Sequence, residues 1–170
     1  MNAIAVRAAT PADHPRIVDL LTRSWGETVV VGHGVRYDAA ELPALLAERR
    51  GRLAGLLTYD IGSEGLEVVS IDAVVRHAGV GTALLNAAAE LAWAKGLDRL
   101  WLITTNDNID ALRFYQRRGM RIEGVTRGGV DASRRLKPGI PLVGDYGIEM
   151  HDEITLEMRR PVGSGIAQPG

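Results

Sequence analysis

Leu66-Glu67-Val68-Val69-Ser70-Ile71-Asp72-Ala73-Val74-Val75-Arg76-His77-Ala78-Gly79-Val80-Gly81-Thr82 is the stretch on which the reading of this chain turns. Its β-branched run predicts a buried strand, which passes through a glycine turn into a helix. The first turn of a helix carries N–H groups without partners and a partial positive charge, so it suits phosphate. Gly79 and Gly81 let a backbone approach an anion closely, and Arg76 adds a cation. Two better-known glycine motifs fail here. A dinucleotide fingerprint needs a third glycine at position 84, and a P-loop needs glycine and lysine at 84 and 85, where the chain has Leu84 and Leu85. What remains is Arg-x-x-Gly-x-Gly, read either as a single-turn pyrophosphate cradle or as a strand–helix turn whose glycines only permit tight packing.

A second segment, Asn108 to Met120, follows the apolar strand Leu100-Trp101-Leu102-Ile103. Its Asn108, Ala111 and Tyr115 are spaced by three and four and share one helical face. Taken together, the two segments resemble the GCN5-related N-acetyltransferase (GNAT) superfamily. Arg76 to Gly81 matches its Gln/Arg-x-x-Gly-x-Gly/Ala cradle, and Asn108 to Met120 matches its Asn-x-x-Ala-x-x-Phe-Tyr-x-x-x-Gly-Phe helix. The resemblance covers roughly residues 3 to 159, and two motifs about 27 residues apart are far more specific than either alone.

The resemblance implies an α/β (α+β) fold with a mixed, mostly antiparallel sheet of six to seven strands. The sheet is expected to splay between the fourth and fifth strands and to be flanked by about four helices. It implies acetyl-CoA as cosubstrate and no metal. Val69, Ser70 and Ile71 would pair their backbone with the pantetheine arm; Arg76, His77, Ala78, Gly79, Val80, Gly81 and Thr82 would hold the pyrophosphate. Asn108 would hydrogen-bond the pantetheine region, and Tyr115 would sit near the sulfur and protonate the leaving thiolate. A core aromatic is the plainer alternative for Tyr115. The chain departs from the pattern at Ala73, where a proline is usual, and at Met120, where a phenylalanine is usual. Relatives that acetylate protein N-termini can carry a glutamate in the strand before the Asn helix; Ile103 stands there, which argues against that activity.

Attack by an amine needs a neutral nitrogen, hence a base. Glu67 is the first candidate, alternating with Val69 and Ile71, and its bland alternative is a solvated or paired strand carboxylate. Asp72 is second, and Glu149, His151 and Asp152 near the last strand are further candidates. His77 and His14 read as surface residues, and the four histidines show no metal-ligand spacing. Trp25, His33, Arg36 and Tyr37 are expected on one side of the acceptor site, with residues 127–150 as an acceptor lid, a solvated loop or a dimer contact. Trp93, opposite Leu84 on its helix, is expected to face outward or into a partner, which hints at an interface, with a homodimer as the candidate assembly.

The rest of the chain agrees with one domain, 1–160, and a flexible tail, 161–170. Its 170 residues are 46% hydrophobic, ample for a core. Lys and Arg total 20 against 21 Asp and Glu, a net charge of −1 that argues against nucleic acid as partner. There is no cysteine, so disulfides, thiolate nucleophiles and acyl-cysteine intermediates are excluded. The start reads as neither signal peptide nor membrane anchor, and a cytoplasmic protein with no membrane partner is the expectation. Strands are predicted at 4–8, 44–50, 53–60, 65–75, 100–104, 120–126 and 154–158. Helices are predicted from Thr10 to Trp25, from Asp38, over 82–95 and over 108–118, with 27–37 and 127–150 as loops. The function expected is acetyl transfer to a primary amine by direct attack in a ternary complex. A non-catalytic acyl-CoA-binding regulatory domain is the main alternative, and a nucleotide-binding oxidoreductase is weakened by the missing third glycine.

Overall fold

The computed structural model describes residues 3–163. Strand β1 (Ile4–Ala8) leads into Thr10-Pro11-Ala12-Asp13, where the Thr10 backbone N–H donates to Asp13 at 2.8 Å, and helix α1 (His14–Trp25) follows. Gly26 closes α1 in the left-handed region, φ 80°, which glycine adopts without a Cβ penalty. The valines at 29–31, expected in a loop, form instead a two-stranded hairpin, β2 (Val29–Gly32) and β3 (Val35–Asp38). Asp38 does cap the next turn, accepting from the Ala40 N–H at 3.1 Å. The expected helix there is only one 3-10 turn, Ala39–Glu41, because Pro43 forces Leu42 into extended backbone, ψ 155°.

Strands β4 (Ala44–Arg49), β5 (Arg52–Gly62) and β6 (Gly65–Ala73) form an antiparallel meander that continues from β1. Helix α2 (Val80–Ala94) crosses to β7 (Arg99–Thr105), and α3 (Ile109–Arg117) to β8 (Arg121–Thr126). Residues 127–150, expected without regular structure, contain helix α4 (Gly129–Leu136) and a 3-10 turn at Asp145–Gly147. Strand β9 (Glu153–Arg159) ends the sheet between β7 and β8, giving the order β1-β4-β5-β6-β7-β9-β8. The seven-stranded sheet and the four helices of the described residues match the expected fold class. The predicted tail lies mostly outside the described residues.

Helix α2 buries Leu84, Leu85, Ala88 and Ala92 against Leu57, Leu66, Leu100, Leu102 and Leu156 on one face of the sheet. Ile17 and Leu21 of α1 cover Leu46 and Leu56 on the other. Trp93, expected to face outward or into a partner, packs partly buried against the α2 side of the core. Among the described residues no helix is long and apolar enough to cross a membrane.

Candidate active site

Between β6 and β7 the sheet opens. Among the described residues these strands are its one parallel pair, and they share only two rungs, Leu66 with Leu100 and Glu67 with Trp101. Beyond them β6 stays with β5 as far as Ala73, and β7 stays with β9 as far as Thr105. The strands therefore diverge, in the place where the splay was expected. A bulge helps to shape the gap. Thr58 pairs with Ser70 and Tyr59 with Val68, so Val69 is the extra, unmatched residue. The bulge also resets the alternation: Ile71 joins Leu66 and Val68 on the α2 side, whereas Glu67 faces away. The even spacing of Glu67, Val69 and Ile71 hid this reversal.

The cradle follows β6. His77 (φ 60°) and Gly79 (φ 81°) turn the chain, and α2 begins at Val80 with no side chain capping it. The first helical bond returns from the Ala83 N–H to the Gly79 carbonyl at 3.0 Å, so the N–H groups of Val80, Gly81 and Thr82 are left for a ligand. Gly81 answers a different need from Gly79. A Cβ there would lie 3.0 Å from the Phe114 ring, so its absence lets α3 pack against the first turn of α2. Arg118, whose guanidinium stacks 3.9 Å over Phe114, donates to the Thr82 hydroxyl at 2.7 Å and ties the two helices together.

A groove of about 570 Å³ runs along this junction. Ile71, Arg76, His77, Gly79, Val80, Gly81, Thr82 and Tyr115 line it. Arg113 and Arg117 of α3 and Arg118 just past its end, which sequence reasoning did not single out, add three cations; their i, i+4 and i+5 positions were the available signal. Such a wall, with free helix N–H groups, fits a pyrophosphate. The other expected contacts lie off the lining. Ser70 is buried and hydrogen-bonded to Thr58 at 2.6 Å, and Ala78 packs partly against the core. The Asn108 side-chain Oδ1 caps α3, accepting from the Ala111 N–H at 3.3 Å. Tyr146, in the left-handed region at φ 58°, lines the groove and donates to Asp110 at 2.7 Å.

Tyr115 is 7% exposed, and its hydroxyl has no partner among the described residues. Burial, and secondarily the nearby Asp72, push its phenol well above the ordinary 10, so it stays protonated. Asp72 is itself raised by burial, partly offset by donors from Trp25, whose indole N–H lies 2.9 Å away, and Ser24.

Across the sheet stands a second cluster. Glu67 is buried, and each carboxylate oxygen has a partner: His33 Nε2 at 2.8 Å on one and the Tyr37 hydroxyl at 2.8 Å on the other. Burial, then the bond to Glu67, raises the Tyr37 phenol well above its ordinary value. The His33 ring packs against Trp101 at 5.2 Å, and the Trp101 indole N–H is buried without a partner among the described residues. Helix α4 backs the hairpin, with Lys137 donating to the Val29 carbonyl at 2.8 Å and pairing with Glu27 at 3.3 Å. Of the expected acceptor-side residues, His33 and Tyr37 therefore meet Glu67, whereas Trp25 is spent on Asp72. Glu149, His151 and Asp152 do not join them. His151 pairs with Asp131 at 3.0 Å and Glu149 at 3.3 Å, and Asp152 accepts from the Gly128 N–H at 2.8 Å.

Residues 14–120 match the Acetyltransferase (GNAT) family. The uncharacterized protein YxbD of Bacillus subtilis is 38% identical over 136 residues, 79% of this chain and 85% of that protein. Among solved structures, an IAA acetyltransferase from Bacillus cereus superposes with a TM-score of 0.67 at 20% identity, over 93% of this chain and all of that one. A Bacillus subtilis acetyltransferase in complex with CoA gives 0.66 at 19% identity, over 95% of this chain and 100% of that one. With its splayed sheet, glycine cradle and matched sequence span, the chain belongs to the acetyltransferase (GNAT) family.

Proposed function

We propose that the chain transfers the acetyl group of acetyl-CoA to a primary amine by direct attack in a ternary complex. The observation that carries the reading is the opening between β6 and β7. It has a cationic, N–H-rich groove with protonated Tyr115 toward the α2 face and a buried carboxylate, Glu67, toward the other. Such a gap admits an extended amide-bearing arm from one side and an amine from the other. Acetyl-CoA would lie with its pyrophosphate on Val80, Gly81 and Thr82 and its arm along Val69 to Ile71. Asn108, at the start of α3, would face the pantetheine region.

The incoming ammonium loses one proton toward Glu67, and the freed lone pair attacks the acetyl carbonyl carbon. A backbone N–H beside the Val69 bulge supports the oxyanion. Collapse breaks the C–S bond; Tyr115 gives its proton to the thiolate and is reprotonated by the nitrogen that has become an amide. One proton leaves to solvent on the Glu67 side of the gap, which balances the reaction. With no cysteine in the chain, no acyl-enzyme thioester can form, and direct transfer is the economical route.

A panel of primary amines assayed for release of CoA thiol tests this reading. At least one amine should release CoA well above the hydrolysis background. Release from none of them, with CoA still bound, would favour a non-catalytic acyl-CoA sensor.

A further inference from the structure

We infer that His33, at the tip of the β2–β3 hairpin, is the group that takes the acceptor's proton, and that Glu67 positions it and draws the charge. The inference rests on the acetyl-transfer reading and adds a residue to it. A carboxylate only accepts hydrogen bonds, and both Glu67 oxygens are already engaged, by His33 Nε2 at 2.8 Å and by the Tyr37 hydroxyl at 2.8 Å. The Glu67 side chain is 9% exposed and that of His33 29%, so the imidazole is the solvent-side face of the pair. An amine entering from that side meets His33 first.

The bond to Glu67 also assigns the tautomer. Facing a carboxylate, Nε2 must carry the hydrogen, which leaves the lone pair of neutral His33 on Nδ1. Nδ1 has no hydrogen-bond partner among the described residues. The ring is held in place from three directions. Glu67 holds Nε2, the Trp101 ring lies at 5.2 Å with a 53° tilt, and the His33 backbone N–H donates to buried Glu153 at 3.2 Å. His33 also sits at φ 41°, a left-handed conformation rare for a residue with a Cβ. The hairpin accepts that cost while placing an imidazole against a strand carboxylate 34 residues away.

The proton accounting is simple. The ammonium gives one proton to Nδ1, forming an imidazolium whose Nε2–H remains on Glu67. After acetyl transfer, Nδ1 releases that proton to solvent. The charged and titratable groups around the ring are these. Glu67 lies on β6, with Asp60 opposite it on β5, Glu153 is on β9, and Tyr37 on β3 is held protonated. The nearby cations are engaged elsewhere, Arg99 with Glu157 at 2.6 Å and Lys137 with Glu27 and Val29.

The test uses the full chain with acetyl-CoA and putrescine, spermidine, tryptamine, lysine and glycinamide as probes, carrying forward the amine with the fastest CoA release. His33→Gln keeps a donor for Glu67 but lacks a basic nitrogen. Its turnover is expected to fall about a hundredfold or more, with the KM for acetyl-CoA unchanged and the acid limb of the kcat–pH profile lost. His33→Ala should regain turnover with added imidazole, which Glu67→Ala should not. In the resting protein, 15N shifts should show His33 as the Nε2–H tautomer, and Glu67→Gln should weaken that preference. Turnover of His33→Gln within twofold of wild type, or an Nδ1–H tautomer, would overturn the relay and leave acetyl transfer standing. If no amine is acetylated while CoA still binds, the parent reading falls and the relay falls with it.

Discussion

Gly55, in the middle of β5, controls how closely α2 approaches the sheet, and replacing it with alanine gives a quantitative check. A Cβ at this position would lie 2.5 Å from Val80 Cγ1, 2.7 Å from the Asp72 carbonyl oxygen and 3.0 Å from Leu84 Cδ1. The carbonyl belongs to β6 and cannot swing away, so the start of α2 or the β5–β6 ladder must shift. Two effects oppose each other. Overpacking of a dense core costs about 1–3 kcal/mol. Against this, alanine restricts the unfolded chain and returns about 0.4–1 kcal/mol. With backbone 2.7 Å away the upper end of the overpacking range applies, and a net loss of about 2–2.6 kcal/mol lowers Tm by roughly 4–10 °C for a chain of this size. Gly62, on the same strand, has no atom within 4 Å of its would-be Cβ and no positive φ. Only the entropic effect applies there, so Gly62→Ala should leave Tm unchanged or raise it slightly. Thermal unfolding of the two variants, followed by CoA titration, reads the contrast. Because Val80 opens the cradle, Gly55→Ala should also weaken CoA binding, whereas Gly62→Ala should not. Gly55→Ala as stable as wild type, or the two variants equally damaging, would refute the packing argument.

Three further outcomes are expected. Tyr115→Phe should cut turnover about a hundredfold or more while changing CoA affinity little; equal turnover would remove the phenol from the reaction. The Arg7 guanidinium, with the Thr10 N–H, holds the Asp13 carboxyl well below the usual carboxylate range, so the folded state favours the ionised form. That contribution is complete above the ordinary 3.8 and fades as pH falls below it. Asp13→Asn should therefore lower Tm at pH 7, with the difference from wild type shrinking below about pH 4; a constant gap down to pH 2 would contradict it. His151 is raised above its ordinary 6.5, first by its bond to Asp131 and then by Glu149. Its stabilising effect is present below 6.5 and disappears as pH rises through the raised value, and Asp131→Asn should lower its NMR midpoint.

The sequence declared those parts of the site whose causes are local. The cradle is written in Gly79, whose φ of 81° starts α2, and in Gly81, whose missing Cβ admits Phe114. Helix α3 is written in its Asn108 cap and its single buried face. Features built from distant contacts were not legible. The valines of β2 lack the alternation of a half-buried strand, and their hairpin is fixed by Glu67 and by Glu153, 120 residues beyond its tip. Helix α4 buries Gly129, Val130 and Ser133, and glycine and serine do not register as an apolar stripe. The bulge at Val69 leaves no mark in a run of residues all suited to strands. Asp38-x-x-Glu41 shows the opposite failure, a real cap whose helix Pro43 stops at once.

The two shared rungs of β6 and β7 also bear on assembly. Past them, each strand turns an unpaired row of N–H and C=O groups toward the other, so the protein carries two sheet edges inside itself. An exposed edge of this kind templates aggregation with other chains. Here the Leu66–Leu100 and Glu67–Trp101 pairs close one end of the wedge, and the opposing strand blocks each flank. The same closure that shuts out a neighbouring strand leaves the wedge to a narrower occupant, such as the pantetheine arm proposed above.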